Sequence, residues 1–111
     1  MKTVIIIHSD SFGQGDHALG QQLLGAFFRK LWAQDQLPET MVFYNSGVKC
    51  LAKGSQVVDA LDGLSLKGVD LVACGTCIDQ LIEDKTLLVG RRSDMVEIVS
   101  LMMAADKTIT V

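Results

Sequence analysis

Apolar residues fall into four short runs, Thr3 to His8, Thr40 to Tyr44, Val69 to Ala73 and Lys107 to Val111, each rich in β-branched or aliphatic side chains and bounded by polar or glycine-containing segments. The runs are continuous rather than alternating. Strands of a parallel sheet look like this, because helices cover both of their faces. Between the first two runs, Asp16 can cap a helix in which Leu19, Leu23, Leu24, Phe27, Phe28, Leu31 and Trp32 make a wide apolar face, and Pro38 bars its continuation. Ser55 can cap a second helix carrying Val57, Leu61 and Leu64, which Gly68 ends. Asp94 and Glu97 have the spacing of a capping box, and Met95, Val99, Met102 and Met103 line the helix after it as core filling. Thr76 to Glu83 reads as a further helix, with Thr76 as its cap, and Leu87 to Val89 as a short strand.

The resulting alternation of strands and helices implies right-handed βαβ crossovers. The fold class expected is α/β, a three-layer α/β/α sandwich with a mostly parallel sheet of about five strands. A chain of 111 residues can fill one such core, so residues 1–111 are expected to form a single domain. Few aromatics and 49% hydrophobic residues leave aliphatic side chains to fill it.

Charge and cysteine usage narrow the function classes. A net charge of −3 offers no basic field for sequence-independent binding to nucleic acid. The Val4 to Ile7 run is too short for a signal-peptide core, and no stretch approaches the ~20 apolar residues of a membrane span. Three cysteines, Cys50, Cys74 and Cys77, do not make a disulfide framework, and reduced thiols in the cytoplasm are expected.

In an open parallel sheet, the loops at the carboxyl ends of the strands share one edge, where ligands gather. That edge would receive His8, Ser9, Asp10 and the Gly13 to His17 loop, then Asn45, Ser46, Lys49 and Cys50, then Cys74-Gly75-Thr76-Cys77. Cys74 directly follows the third run, where free N–H groups of a starting helix would lower a thiol pKa and make a nucleophile. Gly75 leaves the sulfur unscreened, and Cys77 lies about one turn on, close enough to form a disulfide or receive sulfur. The same two cysteines could be small buried hydrophobes, or a dithiol redox centre. A zinc site would want four ligands, and no second CxxC is present; neither a metal nor a cofactor is expected. The Gly13, Gly15 and Gly20 spacing matches neither a dinucleotide fingerprint nor a P-loop and reads as a tight turn. Lys49, Arg91 and Arg92 could supply positive charge near the thiols, His8 reads as a packed or capping residue, and Cys50, with no motif around it, reads as a spectator thiol ahead of a sulfur relay.

Taken together, Ile7-His8-Ser9-Asp10, Gly13-Gln14-Gly15-Asp16, Leu19-Gly20, Leu37-Pro38, Val42 to Lys49, Gly54-Ser55, Cys74 to Cys77, Val89-Gly90 and Ala105-Asp106-Lys107 resemble the DsrE/DsrF-like family of sulfur-relay proteins. The closest likeness is to the DsrE-like domain of the YedF-type sulfurtransferase-like selenium-metabolism proteins, with features also of the YchN-like branch. The resemblance implies a five-stranded parallel α/β/α sandwich assembled into homo- or hetero-oligomers. It implies a cysteine after the third main strand that carries sulfur as a persulfide, and by position this is Cys74. The role of Cys77, shared with only some branches, is left open. The partners implied are sulfur donor and acceptor proteins, including TusA-like carriers. The alternatives are a non-catalytic oligomeric binding module and a Cys74/Cys77 redox switch.

Overall fold

All four of the longer apolar runs enter one sheet in the computed structural model, which describes residues 1–111. The elements are β1 (Thr3–Ile7), α1 (His17–Trp32), β2 (Thr40–Phe43), a 3-10 helix (Asn45–Leu51), α2 (Val58–Leu66), β3 (Asp70–Cys74), α3 (Gly75–Leu81), β4 (Arg91–Ser93), α4 (Met95–Ala104) and β5 (Lys107–Thr110). All five strands are parallel, in the order β4-β3-β2-β1-β5. Ile7 pairs with Phe43, Phe43 with Ala73, and Cys74 with Ser93, so the strands end nearly level at the carboxyl edge.

Strand side chains alternate between faces, and the two faces are covered unequally. Ile5, Ile7, Met41, Phe43, Leu71 and Ala73 join the larger core, closed by Leu24 and Phe28 of α1, Leu61 and Leu64 of α2 and Ile78 of α3. Val4, Ile6, Val42, Val72 and Cys74 form a smaller core with Ile98 of α4. Cys74 therefore belongs to the thinner side of the sandwich. No helix is long and apolar enough to cross a membrane.

Local signals hold in part. The Asp16 carboxylate accepts from the Leu19 N–H at 2.8 Å and caps α1. At the end of α2, Gly68 (φ +96°) lets its own N–H reach the Ser65 carbonyl at 2.9 Å and the Val69 N–H reach that of Leu64 at 3.1 Å, a Schellman stop. Ser55, however, is not the cap of α2: its hydroxyl accepts from the Val57 N–H in a turn, and the helix begins at Val58. Only half a capping box forms at α4. The Asp94 side chain accepts from the Glu97 N–H at 2.9 Å, but the Glu97 carboxylate turns to Arg91 and Ser93 instead.

Three expectations are corrected. The strand near residue 88 is Arg91–Ser93, because Leu87 and Val89 pack into the larger core, the Leu88 N–H donates to the Leu51 carbonyl and Gly90 (φ +85°) turns the chain onto the edge. An Arg-Arg strand survives there because Arg91 binds Asp70 at 2.9 and 3.0 Å and Glu97 at 2.8 and 2.7 Å, while Arg92 binds Asp79. Such a charged edge resists pairing with another strand. Of the α4 residues expected to fill the core, only Met102 does so in part, half-buried against the smaller core with Leu101; Met95, Val99 and Met103 are exposed, as is Val96, and only Ile98 is fully buried. On α1, Leu24 and Phe28 are buried, whereas Leu19, Leu23 and Trp32 stay exposed, Trp32 with the Lys67 ammonium 3.8 Å over its ring.

Candidate functional site

Cys74 is the last residue of β3 and the cap position of α3, in extended conformation (φ −67°, ψ 120°), with no side-chain capping bond. Thr76, expected to cap, lies inside the helix, which has seven residues and ends at Leu81. Because residues two apart share a face, Cys74 points with Val72 into the smaller core and is 4% exposed. Cys77, one turn on, is half-buried and packs against both cores. The two thiols are immediate neighbours. Burial pushes the Cys77 thiol up in pKa, the Asn45 N–H opposes this, and Cys74 adds to the rise.

Asn45 reaches the pair from another element. It opens the 3-10 helix with φ +50°, a left-handed conformation that asparagine tolerates better than most residues, and its N–H donates to Cys77 Sγ at 3.1 Å. The loop is held in place from below. The Tyr44 N–H donates to the Ile7 carbonyl, the Gly47 N–H to that of Tyr44, and a Cβ at Gly47 would collide with the Ile7 carbonyl oxygen.

A roof covers the other side. The Arg92 guanidinium lies over Gly75, where a Cβ would come within 3.0 Å of Nε and 2.9 Å of the Ser93 carbonyl oxygen. Asp79 fixes it with two hydrogen bonds of 2.8 and 2.7 Å. That contact holds the Asp79 carboxyl below its usual range and raises Arg92, to which Cys74 contributes as well. Gly75 thus admits an arginine rather than leaving the sulfur bare.

The remaining candidates are dispersed. Cys50 is buried in the larger core, away from the face that takes Cys74, and burial followed by the charge of Asp10 pushes its thiol up to about 12. It lines a cleft of about 710 Å³ with Asp10, Lys49, Lys53, Gln56 and Ile82, in which neither Cys74 nor Cys77 takes part. Lys49 and His8 are exposed. Gly13 (φ +82°) and Gly15 (φ +120°) shape a turn closed by the Phe12 N–H to the Gly20 carbonyl and the Ser11 hydroxyl to the His17 carbonyl. Arg91 is spent on Asp70 and Glu97, and only Arg92 of the pair stands by the thiols. No three His, Cys, Asp or Glu side chains converge as a metal site would require.

An all-parallel five-stranded sheet between helices, with paired thiols at the carboxyl end of its third strand, defines a small α/β/α dithiol protein. The chain belongs to the DsrE/DsrF-like family, whose model matches residues 1–111, and proteins of this family act in sulfur relay. Its fold is similar to that of the ychN protein from E. coli, at 20% identity and TM-score 0.67 over 100% of both chains. It is also similar to MTH1491 from Methanobacterium thermoautotrophicum, a structure titled as a protein of unknown function, at 24% identity and TM-score 0.68 over 99% of this chain and 98% of that one. Comparison with curated proteins finds no match.

Proposed function

We propose that the protein is a cytoplasmic sulfur carrier that holds sulfur as a persulfide on Cys74 and passes it to an acceptor thiol. The observation that carries this reading is the Cys74 and Cys77 pair at the carboxyl edge of the sheet, in a chain of a family that acts in sulfur relay. The pair lies outside the 710 Å³ cleft, and its approach from solvent is through the half-buried Cys77, which suits a protein donor or acceptor, such as a TusA-like carrier, rather than an enclosed small molecule. Exposed Met95, Val96, Val99 and Met103 on α4 support assembly into a homo-oligomer, since apolar side chains grouped on one helix favour burial against a partner.

Mass spectrometry after treatment with glutathione persulfide tests the reading. At steady state Cys74 should carry one added sulfur, and that sulfur should leave when an acceptor protein with a free thiol is added. Unmodified Cys74 beside labelled Cys77 or Cys50 sinks the assignment. A Cys74–Cys77 disulfide without persulfide would instead make the pair a redox switch.

A further inference from the structure

Under the carrier reading, Cys74 must meet a donor, yet it is 4% exposed. On the β4 side, Ser93 is its register neighbour, and the Arg92 guanidinium, clamped by Asp79, crosses the adjacent Gly75. On the α4 side, Val72 and Ile98 close around it. Sulfur exchange requires one sulfur to come into contact with another, and an attacking thiol is limited by access as much as by its charge state. Cys77 is the more exposed neighbour, and its Sγ already receives the Asn45 N–H at 3.1 Å.

Resting on the carrier reading, we propose that Cys77 is the entry thiol, which takes sulfur from the donor and hands it to Cys74 for storage. In the first step the Cys77 thiolate attacks the outer sulfur of a donor persulfide, R–S–SH. The donor S–S bond breaks with its electron pair leaving on R–S⁻, which takes up the proton lost by Cys77, and Cys77–S–SH forms. In the second step the Cys74 thiolate attacks that same outer sulfur, giving Cys74–S–SH and returning Cys77 to thiolate. Neither step changes the overall oxidation state, so no oxidant or reductant is needed.

Asn45 serves both steps. Its N–H stabilises negative charge on Cys77 Sγ when that sulfur attacks and again when it leaves, offsetting the cost of burial. Storage on Cys74 follows from its enclosure: the Arg92 guanidinium over the adjacent Gly75 is close enough to favour an anionic persulfide on Cys74 by charge, and the packing around Cys74 keeps stray thiols and water away.

The order of events can be read with glutathione persulfide, rapid alkylation and fragment mapping. Both cysteines lie in the tryptic peptide from residue 68 to 85, and cleavage between Gly75 and Thr76 separates them. The wild-type chain should show added sulfur on Cys77 first and on Cys74 later. Cys74→Ser should load at Cys77 and stop there. Cys77→Ser should slow loading of Cys74 by about tenfold or more. The double variant C77S/R92A, with its roof opened, should recover much of that loss, which a misfolded C77S chain would not. Unchanged loading of Cys74 in C77S overturns the entry role and leaves the carrier reading standing. Release of sulfide with a Cys74–Cys77 disulfide overturns the storage step. Absence of persulfide on either thiol in the wild-type chain overturns the carrier reading itself, and this inference with it.

Discussion

The backbone N–H of Asn45 points at Cys77 Sγ from 3.1 Å, although the two residues are 32 apart in the chain and stand on different elements. This contact joins the loop after β2 to the helix after β3 at the edge where the thiols meet. A donor bond to sulfur supports the thiolate against burial, and it depends on the left-handed backbone at Asn45. The neighbouring geometry leads to five predictions.

The three thiols should differ in reactivity. Iodoacetamide at pH 8 should modify Cys77 first and Cys50 last, since burial pushes Cys50 to about 12 and encloses it in the larger core. Peptide mapping over a time course measures the order; equal rates for Cys50 and Cys77 would contradict the packing around Cys50.

Asp79→Ala should raise the alkylation rate of Cys74 severalfold. The substitution releases the two bonds of 2.8 and 2.7 Å that hold the Arg92 guanidinium over Gly75. Both partners are largely exposed, so thermal stability should change little. An unaltered Cys74 rate would mean that the roof does not limit access.

Glu97 should contribute to acid sensitivity. Its bonds to Arg91, then to Ser93, lower its carboxyl from an ordinary 4.5 to about 2. A lowered folded-state pKa gives stability that is present above the unfolded value and lost as pH falls through the folded one. The loss attributable to Glu97 should therefore fall between pH 4.5 and about 2. Urea titrations of Glu97→Gln should show a shallower decline over that window than the wild-type chain, and parallel curves would refute the pairing.

Val96→Glu with Met103→Glu should abolish self-association without unfolding the monomer, because these side chains are 77% and 82% exposed on α4. Sedimentation velocity gives the answer directly: an oligomer that persists in the double variant excludes this face as its interface.

Gly47→Ala should cost about 2 kcal/mol or more, read as a lower urea midpoint. The new methyl group would run into the Ile7 carbonyl oxygen at the end of β1. Because the same loop carries Asn45, alkylation of Cys77 should change as well. A variant as stable as the parent would show that the loop can shift away from β1.

Much of the scaffold was legible in the chain because its causes are local. Continuous β-branched runs such as Val4-Ile5-Ile6-Ile7 can only be buried between two helical layers, and the Asp16 cap and the Gly68 stop act within a single turn of backbone. The placement of Cys74 at the end of β3 follows from the same run of apolar residues.

Other features arose from contacts between segments distant in sequence. An Arg-Arg-Ser stretch has no strand pattern of its own; it is held as β4 by backbone pairing to β3 and by carboxylates from Asp70, Asp79 and Glu97. The methionines of α4 have core-like spacing, but a single helix on the thin face leaves one side of itself without a neighbour. Asn45 was visible only as a polar residue after a strand, since neither its positive φ nor its N–H direction is written in its identity. The sequence by itself determined the layers, the parallel sheet and the position of the thiol pair, all set by local propensity and burial. Only the tertiary structure decided that Cys74 is enclosed, Cys77 half-buried and Arg92 set over the glycine between them, because access to a sulfur depends on what other elements pack across it.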